Sequence, residues 1–113
     1  MKTFDPGTNI KQFIKSSNAF DVDAVLNLFA ANAIIDDVSV GEKFKNKTGV
    51  RTYFEKFFIG YKTVTKLISI EKTDNLNANA KVDFTGDFGH ETGALNFTFN
   101  EEGLIKTIHA YLD

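Results

Sequence analysis

Two adjacent carboxylates, Asp36 and Asp37, end an apolar stretch about a third of the way along the chain and are suited to acid–base chemistry. A carboxylate held in a pocket can act as a general base and take a proton from a carbon next to a carbonyl. Strand alternation allows only one of the two to face the interior. The neighbours leave the choice open, because Ile35 is in phase with Asp37 whereas Ile34 and Val38 are in phase with Asp36.

Three further titratable residues could contribute to a site. Glu91 is in phase with the inward residues of a predicted strand, but it lies beside a turn, where a carboxylate can reach water. His90 falls in that turn, and His109 lies on the strand face opposite Ile108, so both are expected near the surface. The two histidines lack metal-ligand spacing and the sequence has no Cys, so we predict no metal and no cofactor.

A predicted hairpin sets the relative positions of many of these residues. From Ala80 to Phe88 and from Glu91 to Phe99, apolar or glycine positions alternate with mostly polar ones, which is typical of half-buried strands. The intervening Gly89-His90 has Gly first, as a two-residue type II′ turn prefers. This turn predicts five inward pairs: Phe88 with Glu91, Gly86 with Gly93, Phe84 with Leu95, Val82 with Phe97, and Ala80 with Phe99.

The opposed glycines, Gly86 and Gly93, leave a gap on the apolar face that Glu91 shares. We therefore infer a sheet curved around an aromatic cavity with a polar group near its rim. A helix crossing close over the sheet would need the same missing side chains, and this alternative stays open. The residues assigned to the cavity wall or the adjoining core, which the sequence does not separate, are Phe13, Tyr53, Phe54, Phe57, Phe84, Phe88, Glu91, Leu95, Phe97, Ile108 and Ala110.

Helical and alternating patterns succeed each other along the chain. The helical spacing of apolar residues predicts three helices, the first starting at Asp5-Pro6 or Thr8, the second capped by Asp21, and the third capped by Thr48 and ended by Gly60. Alternation predicts five strands, Ala33 to Val40, Val64 to Ile70, Ala78 to Phe88, Glu91 to Asn100 and Leu104 to Leu112. The last four follow one another without helices, which indicates the α+β class with an antiparallel sheet.

Composition limits the classes of partner. The 113 residues fit one domain, spanning 1–113, which can bury roughly two-thirds of its unfolded surface. Thirteen Lys and Arg against 15 Asp and Glu give a charge of −2 without a basic run, so we expect no nucleic-acid partner. No run approaches signal-peptide length or the ~20 apolar residues of a membrane span. We expect a soluble, cytoplasmic protein with no membrane partner.

Two stretches resemble a known superfamily. The run from Asn18 to Ala30 with the following Ala33-Ile34-Ile35-Asp36-Asp37 resembles the opening of nuclear transport factor 2-like proteins, closest in look to SnoaL-like domains. The run from Phe97 to Ile105 with Tyr111-Leu112-Asp113 resembles their final two strands. The resemblance implies a cone-shaped roll of three N-terminal helices packed on a curved antiparallel sheet that encloses a pocket. It also selects Asp37, which aligns with the general base of ketosteroid isomerase, a distant relative.

The resemblance also indicates which catalytic groups are missing. Ketosteroid isomerase holds the developing oxyanion with a tyrosine and a neutral carboxylic acid. Phe13 and Leu95 stand at those positions here, and neither side chain can donate a hydrogen bond. Because the loss of one oxyanion donor typically costs on the order of a hundredfold in rate, the resemblance argues against isomerase chemistry and leaves only the base position filled.

Three functions remain open at this stage. The first is a binding domain for a small hydrophobic or aromatic molecule. The second is an acid–base enzyme of the cyclase, dehydratase or isomerase kind, with Asp37 as the base and Glu91 or Tyr53 taking part. The third is a protein-interaction domain that uses the outer sheet face. We also expect a homodimer formed through that face, with His109 and Tyr111 at or near the contact.

Overall fold

The computed structural model describes residues 5–113, and its N-terminal half is mainly helical. Helix α1 (Pro6–Asn18) begins as predicted, because the Asp5 carboxylate accepts a hydrogen bond from the Thr8 amide (3.3 Å) and Pro6 occupies the first turn. Helix α2 (Val22–Leu26) is capped by Asp21 in the same way, with the Ala24 amide at 3.1 Å. Both caps confirm the predicted helix starts.

The third helix differs from its prediction at its start and in the form of its last turn. Helix α3 (Asn46–Phe54) begins before Thr48, so the predicted Thr48 cap is wrong. It continues into a π-helical segment, here called the π turn, over Glu55–Ile59. The wider turn is closed by the Gly60 amide, which donates to the Glu55 carbonyl at 2.8 Å. Gly60 ends the helix as predicted.

Within residues 5–113, six strands form one sheet in the order β2-β1-β6-β5-β4-β3. The strands are β1 (Phe29–Asp37), β2 (Glu42–Lys45), β3 (Val64–Lys72), β4 (Asn77–Gly86), β5 (Gly89–Phe99) and β6 (Ile105–Leu112). The predicted α+β architecture of three helices packed on a sheet is confirmed, with two differences in the sheet. Strand β1 lies parallel to β6, so the sheet is mixed, and β2 was not predicted because Phe44 is its only buried residue.

The predicted register of the β4–β5 hairpin is wrong. The turn residues are Asp87 and Phe88, so Phe84 faces Glu91 rather than Leu95, and Gly86 faces Gly89. Because the shift is an even number of residues, the same side chains still share the inner face, the face toward the helices. The backbone of the neighbouring segment favours this turn, since the Asp87 amide donates to the Tyr61 carbonyl at 2.7 Å.

Gly86 and Gly93 are therefore not opposite each other and leave no shared gap. A Cβ on Gly93 would overlap the carbonyl oxygen of Tyr111 in β6, and one on Gly86 would lie 2.7 Å from the Tyr61 carbonyl oxygen. Both glycines allow a close approach of backbone. The inference of a cavity from opposed glycines fails, and neither glycine faces a crossing helix of the kind considered as the alternative.

The interior of the molecule lies between the helices and the inner sheet face. Phe13 of α1 contacts Phe29 of β1 and Phe97 of β5 edge to face, with ring centroids 5.9 and 5.6 Å apart. Ile105 is also buried here, although simple alternation along β6 would place it on the same face as the exposed His109, because the register of β6 shifts against β5 between Thr98 and Phe99. No helix within residues 5–113 is long and apolar enough to cross a membrane.

Candidate functional site

A cavity of about 390 Å³ lies beside α3 and the π turn, next to the tip of the β4–β5 hairpin. Its wall is mostly apolar and aromatic and includes a few polar side chains. The lining residues are Asp37, Ser39, Val40, Tyr53, Phe57, Phe58, Tyr61, Thr63, Phe84, Phe88, Glu91 and Leu112.

The end of α3, the π turn and the residues just after it supply one side of the wall as a row of aromatic rings. Tyr53, Phe57 and Tyr61 follow one another at ring-centroid distances of 5.1 and 6.3 Å, and Phe58 lies 6.0 Å from Tyr53. A π turn adds a residue to the helical turn, and such turns frequently occur at functional sites. Thr63 fixes the segment that follows, because its hydroxyl donates to the Phe57 carbonyl at 2.7 Å.

Asp37 brings a carboxylate into this wall at the end of β1. Its side chain is buried, with a residue exposure of 7%, and three donors compensate for the loss of water. The Tyr53 hydroxyl donates to Oδ2 at 2.6 Å, while the Ser39 hydroxyl and amide donate to Oδ1 at 2.6 and 2.9 Å. Hydrogen bonds to an ionised acceptor are among the stronger ones in proteins, so Asp37 is held in one orientation.

Tyr53 is the partner whose proton is most affected by this arrangement. Burial raises the pKa of the Tyr53 hydroxyl well above its ordinary value, and the charge of Asp37 and the hydrogen bond to it raise this pKa further. Tyr53 therefore stays protonated at neutral pH, and its hydroxyl donates a hydrogen bond to Asp37. The ring also packs against Phe44 of β2 at a centroid distance of 5.0 Å, which positions the phenol.

The mouth of the cavity consists of partly exposed side chains from four segments. Tyr61 and Phe88 meet edge to face, with centroids 6.0 Å apart and exposures of 42% and 45%. Val40 lies in the turn after β1, and Leu112 at the end of β6. Glu91 is exposed and lies opposite Phe84. A ligand would meet apolar surface and one carboxylate before reaching Asp37.

The structure separates the predicted site residues into two groups. Those on the cavity wall are Asp37, Tyr53, Phe57, Phe84, Phe88 and Glu91. Phe97 and Ala110 are buried in the core, and four others line only a second space of about 10 Å³, namely Phe13, Phe54, Leu95 and Ile108. Asp36 lies outside the cavity wall, with Oδ2 3.4 Å from Nδ1 of His109.

Other wall residues were missed by the sequence reasoning. Phe58 and Leu112 carried a signal, since each is in phase with buried neighbours. Ser39 and Val40 were missed because the predicted strand Ala33 to Val40 in fact ends at Asp37, so that both lie in a turn. Tyr61 and Thr63 lie in or beside a turn, where no periodicity applies. His90 was predicted in a turn and instead belongs to β5, where its Nε2 lies 2.6 Å from Asp83 Oδ1. Within residues 5–113 no three His, Asp or Glu side chains are grouped so that they could hold a metal ion.

A scan against protein-family models finds no match, and neither does a search of the curated proteins. Solved structures do match. RV0760c from Mycobacterium tuberculosis, in complex with estradiol-17beta-hemisuccinate, has a TM-score of 0.86 at 18% identity, covering 97% of this chain and 95% of that one. A nuclear transport factor 2-like protein of unknown function from Cytophaga hutchinsonii has a TM-score of 0.82 at 15% identity, covering 100% and 95%. The chain has the nuclear transport factor 2-like fold.

An enzyme shares the nuclear transport factor 2-like fold as well. SalBIII, an epoxide hydrolase/cyclase-like enzyme with a role in pyran ring formation in the polyether salinomycin, has a TM-score of 0.84 at 17% identity, covering 96% of this chain and 90% of that one. The fold therefore occurs both in a protein with a bound steroid derivative and in an enzyme. At these identities the similarity concerns the fold, so function has to be argued from the site.

Proposed function

We propose that this chain is a binding domain for a small hydrophobic or aromatic molecule, which the cavity beside the π turn receives. The single observation that carries the proposal is a largely apolar cavity of about 390 Å³ with a buried, hydrogen-bonded carboxylate in its wall. Ligand sites in proteins commonly occupy roughly 300–1,000 Å³ and combine apolar walls with a few polar groups. The proposed contacts are the wall residues already described, with Asp37 as the polar anchor.

A thermal-shift screen against hydrophobic ketones, sterols, polyphenols, carboxylates and amines tests this proposal. A ligand at 100 times its Kd should stabilise the folded protein by about 2.7 kcal/mol. The matched variants are Val40→Trp, which adds bulk to the wall, and Val38→Trp, which adds the same bulk at a position that is 64% exposed and outside the wall. We expect Val40→Trp to lower the affinity and Val38→Trp to leave it unchanged. A ligand bound equally by both variants would place its site elsewhere.

An acid–base enzyme is the second candidate, and the presence of Asp37 in the wall favours it. The same geometry offers little to a developing oxyanion, because Tyr53 gives its hydrogen to Asp37, and Phe13 and Leu95 have none to give. We expect negligible isomerisation of a β,γ-unsaturated ketosteroid, and we expect Asp37→Asn to alter ligand preference more than stability. Robust isomerisation that disappears in Asp37→Asn would establish the enzyme instead.

Self-association through the outer sheet face is a further part of the proposal. His109 and Tyr111 of β6 are exposed on that face, and the Asn79 side chain donates to Asn96 on the neighbouring strands. Sedimentation of the protein at concentrations of tens of micromolar should show a dimer, which Tyr111→Lys should weaken; a monomer at all concentrations would contradict it. The expected cytoplasmic location stays a prediction.

A further inference from the structure

Three of the four side-chain hydroxyl groups of the cavity wall already donate their hydrogen to acceptors within the protein. Tyr53 and Ser39 both donate to Asp37, at 2.6 Å each, and Thr63 donates to the Phe57 carbonyl at 2.7 Å. A hydroxyl has one hydrogen and two lone pairs, so these three groups can offer a ligand only lone pairs. Tyr61, which is half exposed at the mouth, is the remaining hydroxyl of the wall.

The charged groups of the wall are also hydrogen-bond acceptors and not donors. Asp37 and Glu91 are both carboxylates, and no Lys, Arg or His belongs to the lining among residues 5–113. The nearby Lys56 lies over the Phe57 ring, with Nζ 5.4 Å from the ring centroid, and is exposed outside the wall. A ligand carbonyl or carboxylate at Asp37 would therefore meet lone pairs and negative charge, with no side-chain donor to replace the water it loses.

The aromatic part of the wall is compatible with a positive charge. Tyr53, Phe57, Tyr61 and Phe88 form a chain of rings between Asp37 and the mouth, with centroids 5.1 to 6.3 Å apart. The faces of such rings attract cations, and aromatic walls are a common means of recognising ammonium groups. A neutral donor could also bond to Asp37, but only a cation would in addition neutralise a carboxylate that the ligand covers from water.

We propose that the ligand of this cavity is a hydrophobic molecule bearing a protonated amine, with the ammonium against Asp37 and the apolar part among the aromatic rings. This inference rests on the proposed binding function and specifies its ligand class. Neutral molecules of the same shape bind more weakly, and carboxylates are excluded.

Three probes with one ring system test the inference by calorimetry at neutral pH: naphthylethylamine, naphthylethanol and naphthylacetate. We expect the amine to bind about tenfold more tightly than the alcohol, because both can donate a hydrogen bond to Asp37 but only the ammonium adds the attraction between opposite charges. We expect no binding of the acetate. Equal affinity of amine and alcohol, or preference for the acetate, would overturn the ligand class while leaving the binding function intact. Failure of all three probes and of the broader screen would overturn both.

Two variants at neighbouring positions test which carboxylate the ammonium group contacts. Asp37→Asn removes the buried carboxylate and should reduce the amine to the affinity of the alcohol, whose own binding should persist. Asp36→Asn makes the same change of net charge outside the cavity and should preserve the preference. Loss of the preference for the amine over the alcohol in both variants, or in neither, would contradict contact between the ammonium group and Asp37. If Asp37→Asn does not fold, Glu91→Gln provides the second test, because removal of this exposed carboxylate should weaken the amine alone.

Discussion

The inner face of the sheet covers two regions that are packed differently. The packed region, made by Phe13, Phe29, Phe97 and Phe99, has ring centroids 5.6 to 5.9 Å apart and side chains that are at most 5% exposed. The open region, the cavity wall beside the π turn, has aromatic rings in similar contact with one another but with about 390 Å³ of space in front of them. Both regions are rich in phenylalanine, so composition alone does not distinguish a core from a binding site.

The difference between the two regions lies in their polar groups and in their exposure. Asp37, Tyr53 and Thr63 are buried at the open region and satisfied by one another or by backbone, whereas the packed region uses apolar rings alone. Close packing contributes to stability. The open region has fewer packing contacts and therefore contributes less stability, but it presents surface that a ligand can contact. The two regions should therefore respond differently to the same substitution.

Truncation of a phenylalanine should have its largest effect in the packed region. We expect Phe97→Ala to lower the free energy of unfolding by about 3–5 kcal/mol, because a fully buried ring leaves a cavity that its neighbours cannot fill. Phe88→Ala removes the same ring at the mouth of the cavity, where it is 45% exposed, and should cost less than about 1 kcal/mol. Urea denaturation of both variants measures the difference, and equal losses would show that the two regions are packed alike.

Loss of the Tyr53 hydroxyl should have an intermediate and pH-dependent effect. At neutral pH we expect Tyr53→Phe to cost about 1.5–3 kcal/mol, the usual range for a hydrogen bond to a charged group. The pKa of Tyr53 is raised in the folded protein, so the unfolded chain releases this proton first, near pH 10. The stabilising contribution is complete below about pH 10 and is lost as the pH rises through the folded-state pKa.

Urea denaturation of the wild type and Tyr53→Phe at neutral pH and at several steps above pH 10 measures this dependence. The difference in unfolding free energy should shrink with each alkaline step. Tyr61→Phe, which removes a half-exposed hydroxyl of the same cavity, should show a difference that is small at every pH. A constant gap between wild type and Tyr53→Phe would mean that the pKa of Tyr53 is not raised in the folded protein.

Local sequence patterns predicted the helices and strands of this fold well, because the polarity of each residue indicates whether its own position is buried. Asp5 and Asp21 cap their helices as expected, and the inner residues of β4 and β5 are those that alternation selects. The register of the hairpin could not be obtained in this way. A turn at Asp87-Phe88 and one at Gly89-His90 place the same side chains inward, and a contact with the distant Tyr61 carbonyl favours the first.

The candidate site depended even more on contacts between distant residues. The sequence left Asp36 and Asp37 equivalent, and only the resemblance selected Asp37 for the interior. Its partner Tyr53 is recognisable as an inward residue of α3, but nothing local indicates that its hydroxyl reaches the end of β1. The π turn was not predicted because its rings keep the spacing of an α-helix. The position of Ser39 was not predicted because strand alternation was extended to Val40, beyond the true end of β1 at Asp37.

The smallest effect should come from a charge that belongs to neither region. Arg51 of α3 lies 3.7 Å from Asp23 of α2 and 3.8 Å from Glu55, the first residue of the π turn, but its side chain is 46% exposed. Exposed ion pairs contribute little, so Arg51→Ala should change the unfolding free energy by less than about 0.5 kcal/mol in urea denaturation. Its affinity for a cavity ligand should equal that of Arg51→Lys, which keeps the charge. A larger loss together with weaker binding would mean that surface charge holds the π turn in place. The open region would then depend on electrostatics as well as on its aromatic contacts and the Asp37–Tyr53 hydrogen bond.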